Sequence, residues 1–163
     1  MKIKNRHRLK SKDIKNVFSE LKNTFLSISI DEKSSLEIGE FEGIKFVFVD
    51  GNPCFMYYED KLVFTLIGIE KYKPKENFVV VDMGAVKFVT NGADVMAPGI
   101  IDADSSISKG DQVWINDEKN HKALAIGFTL MSGEEMVIQK SGKAVKLIHF
   151  VGDDIWNFVA KSL

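Results

Sequence analysis

Val79-Val80-Val81-Asp82-Met83-Gly84-Ala85-Val86-Lys87-Phe88-Val89-Thr90-Asn91-Gly92-Ala93-Asp94-Val95-Met96-Ala97-Pro98-Gly99-Ile100 holds more structural information than any other run of this chain. A short apolar strand from Phe78 to Val81 ends in Asp-x-Gly-Ala. Asp82 is placed to cap the next segment, because its carboxylate can accept the first free N–H groups of a helix. Residues from Gly84 to Thr90 suit about two helical turns, and Asn91-Gly92 stops them with a residue tolerant of positive φ. Val95-Met96 opens a second strand, and Pro98-Gly99 turns the chain again.

Moving outward, the C-terminal side repeats this short-strand rhythm. Ser108-Lys109-Gly110-Asp111 is a turn before Gln112-Val113-Trp114-Ile115. A polar loop from Asn116 to Lys122 returns the chain along Ala123 to Leu130. Ser132 to Glu135 is a turn or a short helical start, and Ala144 to Phe150 is the last strand. Many short strands separated by glycine turns predict a small barrel. On the N-terminal side the period is different. Ser11 reads as a helix cap, and Ile14, Val17, Phe18, Leu21 and Phe25 recur at helical spacing, which predicts a helix over about 12–26. From Leu36 the pattern turns to β: Gly43 to Val49, a turn at Asp50-Gly51-Asn52-Pro53, Cys54 to Tyr58, a turn at Glu59-Asp60-Lys61, and a third strand from Leu62 to Ile69. Lys71 to Asn77 is polar, contains Pro74, and marks the junction. The chain is therefore expected to be α+β in two parts: a helix-plus-meander unit over 1–74 and a small pseudo-β-barrel over 75–163.

Composition narrows the function. With 163 residues, 45% of them apolar, both parts can bury a core. The formal net charge of −1 provides no global attraction to a polyanion. Charge is instead local. Residues 1–15 carry seven Lys or Arg against Asp13 alone, whereas residues 75–155 carry eight Lys or Arg against twelve acids. The single Cys54 excludes an internal disulfide, fits a reducing compartment, and reads as a small buried hydrophobe without an activating base. No apolar run approaches the roughly 18 residues of a membrane span. The basic N-terminus lacks the apolar stretch of a secretory signal. His7, His121 and His149 are scattered, so no metal spacing is expected. No phosphate-binding loop, nucleophile elbow or dinucleotide fingerprint is present, and neither catalysis nor a cofactor is expected. The acid pairs Asp153-Asp154 and Glu134-Glu135 read as solvated turns, and His149 as a strand histidine bonded to a nearby carbonyl.

The stretch quoted first resembles the entrance of a PUA domain. The resemblance extends to Lys109-Gly110-Asp111-Gln112-Val113, similar to the turn entering the third strand of that fold. It continues through Ala125-Ile126-Gly127-Phe128-Thr129, where a small-x-Gly pattern permits close strand packing. The ending, in which Gly142 to His149 is followed by Gly152-Asp153-Asp154-Ile155-Trp156, resembles one subfamily. These are the translation proteins related to malignant T-cell amplified sequence protein, yeast translation-machinery-associated protein and the N-terminal half of ligatin. Their pre-PUA unit is similar to residues 1–74, with Asp50 to Pro53 at the hairpin and Leu62 to Leu66 at a Pro-Thr-Leu-like strand. Val63-Phe64 departs from the Tyr-Pro pair of that pattern.

The resemblance implies a cytoplasmic RNA-binding protein of translation at the small ribosomal subunit, acting in initiation, reinitiation or recycling. Its RNA would be a tRNA 3′ end or rRNA, and its protein partner would carry a translation-initiation-factor-one-like domain. The alternatives are an RNA-binding specificity module for RNA modification, or a protein-interaction adaptor. The RNA-binding candidates are Gly84, Ala85, Lys87, Phe88, Gly92, Ala93, Met96, Ala97, Pro98 and Gly99, joined by the N-terminal cations Lys4, Arg6, Arg8 and Lys10. Small residues let a phosphate or ribose approach the backbone, N–H groups at the start of the helix favour an anion, and Lys87 supplies a cation. Each has a plainer reading. Gly84 and Gly92 can serve as helix caps alone, Phe88 reads as core, and Met96 reads as barrel interior.

Overall fold

The computed structural model describes residues 2–161, which fall into two units. Residues up to Pro74, together with the chain from Phe158, form the first, and Lys75–Asn157 form the second. The sequence pattern alone places residues 158–161 in the second unit. In the structure Phe158 stacks on Phe41 with centroids 4.2 Å apart and tilts against Phe46 at 4.8 Å.

The first unit is a five-stranded antiparallel sheet in sequential order with two helices. It runs β1 (Lys4–Arg8), α1 (Ser11–Thr24), β2 (Leu36–Phe41), β3 (Ile44–Val49), β4 (Asn52–Tyr58), β5 (Lys61–Phe64) and α2 (Leu66–Tyr72). Three two-residue turns set the meander. Glu42-Gly43, Asp50-Gly51 and Glu59-Asp60 all have both residues at positive φ, the twist that matches neighbouring strands. Phe25, Phe46, Phe48, Phe55 and Phe64 are fully buried. The expected strand over Leu62 to Ile69 is corrected: the chain leaves the sheet after Phe64. Thr65 is buried, its hydroxyl accepts from the Gly68 N–H at 3.2 Å and donates to the Pro53 carbonyl at 2.6 Å, and so it caps α2. A continuous apolar run fits a buried strand and a buried helix equally well. Gly68 settles the packing, since a Cβ there would stand 2.0 Å from the Cys54 carbonyl oxygen.

The second unit is a mixed six-stranded sheet curled into a nearly closed barrel. Its elements are β6 (Phe78–Val81), α3 (Met83–Val89), β7 (Val95–Met96), a 3-10 turn (Ala97–Gly99), β8 (Ile100–Ala103), β9 (Gln112–Asp117), β10 (Ala123–Thr129), α4 (Gly133–Ile138), β11 (Lys143–Phe150) and the start of α5 (Asp154–Lys161), whose residues from Phe158 belong to the first unit. The strand order is β7-β11-β10-β9-β6-β8, with β6 parallel to β9. Ser132 and Glu135 form a capping box at α4, so these residues start a helix. Gly127 lets β11 approach, because a Cβ there would meet the Lys146 carbonyl oxygen at 2.5 Å. The core is aliphatic: Val79, Val81, Ile100, Val113, Ile115, Ala125, Met136 and Val145 are all buried. The α+β expectation, with a meander unit first and a pseudo-barrel second, holds.

Candidate nucleic-acid interface

β6 delivers the chain into the site at Asp82. Its carboxylate accepts from the Ala85 N–H at 2.8 Å, which caps α3 as the sequence suggests. The next free donor, the Met83 N–H, goes to the Glu118 carboxylate at 3.1 Å. Two carboxylates therefore occupy the start of α3. This corrects the expectation of an anion-binding helix start, because a phosphate there would meet two like charges.

Beside α3 lies a slot of about 470 Å³. Gly84, Ala85, Phe88, Ala93, Met96, Pro98 and Gly99 line it, together with Asp82, Val89, Asp94 and Val95. The small residues shape it: a Cβ on Gly99 would lie 3.0 Å from the Ala85 Cβ, and a Cβ on Gly84 would meet only its cap, the Asp82 carboxylate, at 3.3 Å. Two side chains expected inside are outside. Phe88 is 57% exposed and Met96 is 48% exposed. α3 is too short to bury both faces, and Val89 is the residue it sends into the core.

Three of the candidates have other roles. Gly92 has φ 86°, and a Cβ on it would lie 2.8 Å from the Phe150 ring. Its smallness thus serves internal packing. Ala97 is fully buried, and its N–H donates to the Gly142 carbonyl at 2.8 Å. Arg6 is bound to Glu37 at 3.1 Å and lies 4.2 Å over the Phe48 ring. Lys4, Arg6 and Arg8 fall on β1 and Lys10 just after it, all exposed and all in the first unit. Lys87 is exposed, with its ammonium 5.1 Å from the Phe88 ring centre.

The structure adds two residues that no sequence motif singles out. Asp94 accepts from the Leu147 N–H at 2.9 Å and pairs with Lys143 at 3.1 Å. Lys143 is the ladder partner of Met96, which brings a second cation to the slot. Nothing local marks Lys143, because β11 supplies it from far along the chain.

His149 is fully buried, and its Nδ1 donates to the Asp153 carboxylate at 3.0 Å. The same carboxylate accepts from the N–H groups of Phe150 at 2.9 Å and Trp156 at 2.6 Å. The reading of Asp153 as a solvated turn residue is corrected, because its carboxylate is held by these three donors. Burial pushes the Asp153 carboxyl upward, but the His149 hydrogen bond and charge and the two N–H donors more than offset it and hold it below the usual range. Cys54 is fully buried, and burial pushes its thiol up to about 11. Among the described residues no three His, Cys, Asp or Glu side chains converge as metal ligands. No helix among them is long and apolar enough to cross a membrane.

Comparison with known proteins agrees with this fold. Residues 77–151 match the PUA domain family, and residues 5–72 match a domain of unknown function, DUF1947. An uncharacterized protein of Methanocaldococcus jannaschii is 43% identical over 97% of this chain and 99% of its own length. Translation machinery-associated protein 20 of Saccharomyces cerevisiae is 38% identical over 79% of this chain and 75% of its own. The crystal structure of a hypothetical protein from Pyrococcus horikoshii superposes with a TM-score of 0.83 at 36% identity, covering 94% of this chain and 99% of that one. With both of its units matched and its barrel entrance built on the Asp82–Gly99 slot, the chain belongs to the family of PUA-domain proteins that includes Translation machinery-associated protein 20.

Proposed function

We propose that this chain is a cytoplasmic RNA-binding protein of translation that works without catalysis, and that its slot receives an unstacked base of single-stranded RNA. The observation that carries the reading is the slot itself: an apolar cavity of about 470 Å³ with Phe88 and Met96 exposed at its edge. Protein sites for single-stranded RNA stack splayed bases on aromatic side chains and hold phosphates with cations. Phe88 is the stacking surface, and Lys87 and Lys143 are the phosphate partners. The carboxylates at the start of α3 make base insertion a better fit than phosphate binding there. A tRNA 3′ end is a free, unstacked terminus of this kind, and rRNA at the small ribosomal subunit is the other candidate. A partner with an initiation-factor-one-like domain would act in trans. Lys4, Arg8 and Lys10 add non-specific affinity, Arg6 less so because Glu37 and Phe48 hold it.

One observation favours a second reading. The twelve acids against eight bases of residues 75–155 suit a protein-interaction adaptor. Fluorescence anisotropy with a single-stranded acceptor-end RNA and a blunt duplex control separates the two. Binding should favour the single strand and weaken steeply with salt. Phe88→Ala should lose on the order of 1–3 kcal/mol, as for one stacked base. Undetectable binding at low salt, or a Phe88→Ala variant that binds like the parent, would reject the RNA reading. Co-sedimentation with small subunits tests the site of action.

A further inference from the structure

The first unit leaves part of one sheet face uncovered. Ladder register and strand alternation put Ile38, Glu40, Lys45, Val47 and Tyr57 on the same face. Val47 is fully buried, whereas Ile38 and Tyr57 are only partly covered. The result is a groove of about 460 Å³ between this sheet end and the first turns of α1.

The groove combines an apolar floor with an acidic rim. Asp13, Glu40 and Asp60 face it, with Lys45 the cation of its lining and a second ammonium, Lys4, beside Glu40. Lys45 and Lys4 are the cross-strand neighbours of Glu40. His7 also lines the groove and uses its Nδ1 on the Asn5 carbonyl at 2.7 Å. Among the described residues none of the three carboxylates takes part in an ion pair. Burial raises the Tyr57 hydroxyl pKa, and the charges of Glu20 and Asp13 raise it further, so the negative potential reaches the ring.

We propose that this groove docks an arginine-bearing segment of a partner polypeptide. Within the groove, charge complementarity selects a cation and disfavours the RNA backbone, since Lys4, Arg8 and Lys10 lie outside its lining. Arginine fits the lining better than lysine does. Its stem lies along Ile38, its planar head stacks on Tyr57, and its fork of donors meets Asp13 or Asp60. The groove is separate from the slot and does not depend on the RNA reading.

The test is a titration of the full ¹⁵N-labelled chain with a tetra-arginine peptide, with tetra-glutamate and single-stranded RNA as controls. Saturable shifts confined to the first turn of α1, β2 and Tyr57 are expected. Asp13→Asn combined with Asp60→Asn should weaken binding about tenfold, since each rim charge contributes a modest ion pair. Asn tolerates the positive φ of 65° at position 60, and an unchanged melting curve verifies the fold. Tyr57→Leu keeps the apolar area and should weaken binding a few-fold. Shifts scattered over every acidic surface, an unaltered affinity in the double variant, or RNA competing for the same residues would overturn the proposal.

Discussion

The two units carry cavities of nearly equal size, about 460 Å³ in the first and about 470 Å³ in the second, with opposite linings. The slot of the second unit is almost wholly apolar, and all of its lining falls between Asp82 and Gly99. The groove of the first unit is rimmed by charge, and its lining comes from β1, α1, β2, β3, β4 and the turn after it. A site built on one continuous segment leaves its signature in a local run of glycine, alanine and aromatic residues. A site assembled across a sheet leaves no such run. The pair therefore shows why one cavity can be anticipated from sequence and the other cannot, although they are alike in volume.

Breaking each unit separately tests whether the cavities act independently, and it carries the largest expected effect. Gly68→Ala places a methyl against the Cys54 carbonyl, and Gly133→Ala places one 2.1 Å from the Asp104 carbonyl oxygen. Each should cost about 3 kcal/mol or more in its own unit. Gly68→Ala should abolish arginine-peptide binding and spare the Phe88-dependent part of RNA binding, and Gly133→Ala should do the reverse. Calorimetry alongside both titrations checks this, and loss of both ligands in both variants would end the comparison.

A smaller effect is expected at His149. Asp153→Ala removes the N-cap of α5 and the acceptor facing a buried imidazole, so about 2–3 kcal/mol should be lost. The folded Asp153 carboxyl titrates below its unfolded value. Its contribution is therefore complete above the ordinary carboxylate range, near pH 4, and disappears as pH falls through the folded value. Asp50, Asp104 and Asp117 are lowered as well, so the parent chain should lose stability in acid through several groups. The difference between parent and Asp153→Asn isolates one of them: it should shrink between pH 5 and pH 2 in denaturant melts. A constant difference would mean that the carboxylate charge contributes nothing.

The smallest effects sharpen the account of the slot. Lys87→Ala and Lys143→Ala should each weaken RNA binding by on the order of 1 kcal/mol or less and reduce the salt slope by about one. Lys143→Ala also frees Asp94, and a modest stability change from that exposed pair is expected. If Lys143→Ala leaves the slope unchanged while Lys87→Ala lowers it, the phosphate path passes along α3 alone.

Much of this molecule is legible in its residues alone. Alternation, glycine turns and the Asp82 cap are local effects between residues a few positions apart, so the chain announces its meander, its short strands, that cap and its family resemblance, whereas Ser11, read as a cap, is the first residue of α1 and makes no capping bond. The slot is legible for the same reason, apart from Lys143, which a strand pairing brings to Met96. Other assignments are open to the sequence only in part. An apolar run such as Leu62 to Ile69 satisfies both periodicities, and Thr65 and Gly68 become decisive only with β4 in place. Phe88 and Met96 look like core until α3 proves too short to bury them. Gly92 looks like an opening until Phe150 closes on it. His149 and Asp153 look unrelated until a tight turn joins them. Hydrogen bonds within a few residues follow from chemistry written in order along the chain. Burial and charge pairing depend on distances that only long-range packing creates, and those were settled by the tertiary structure.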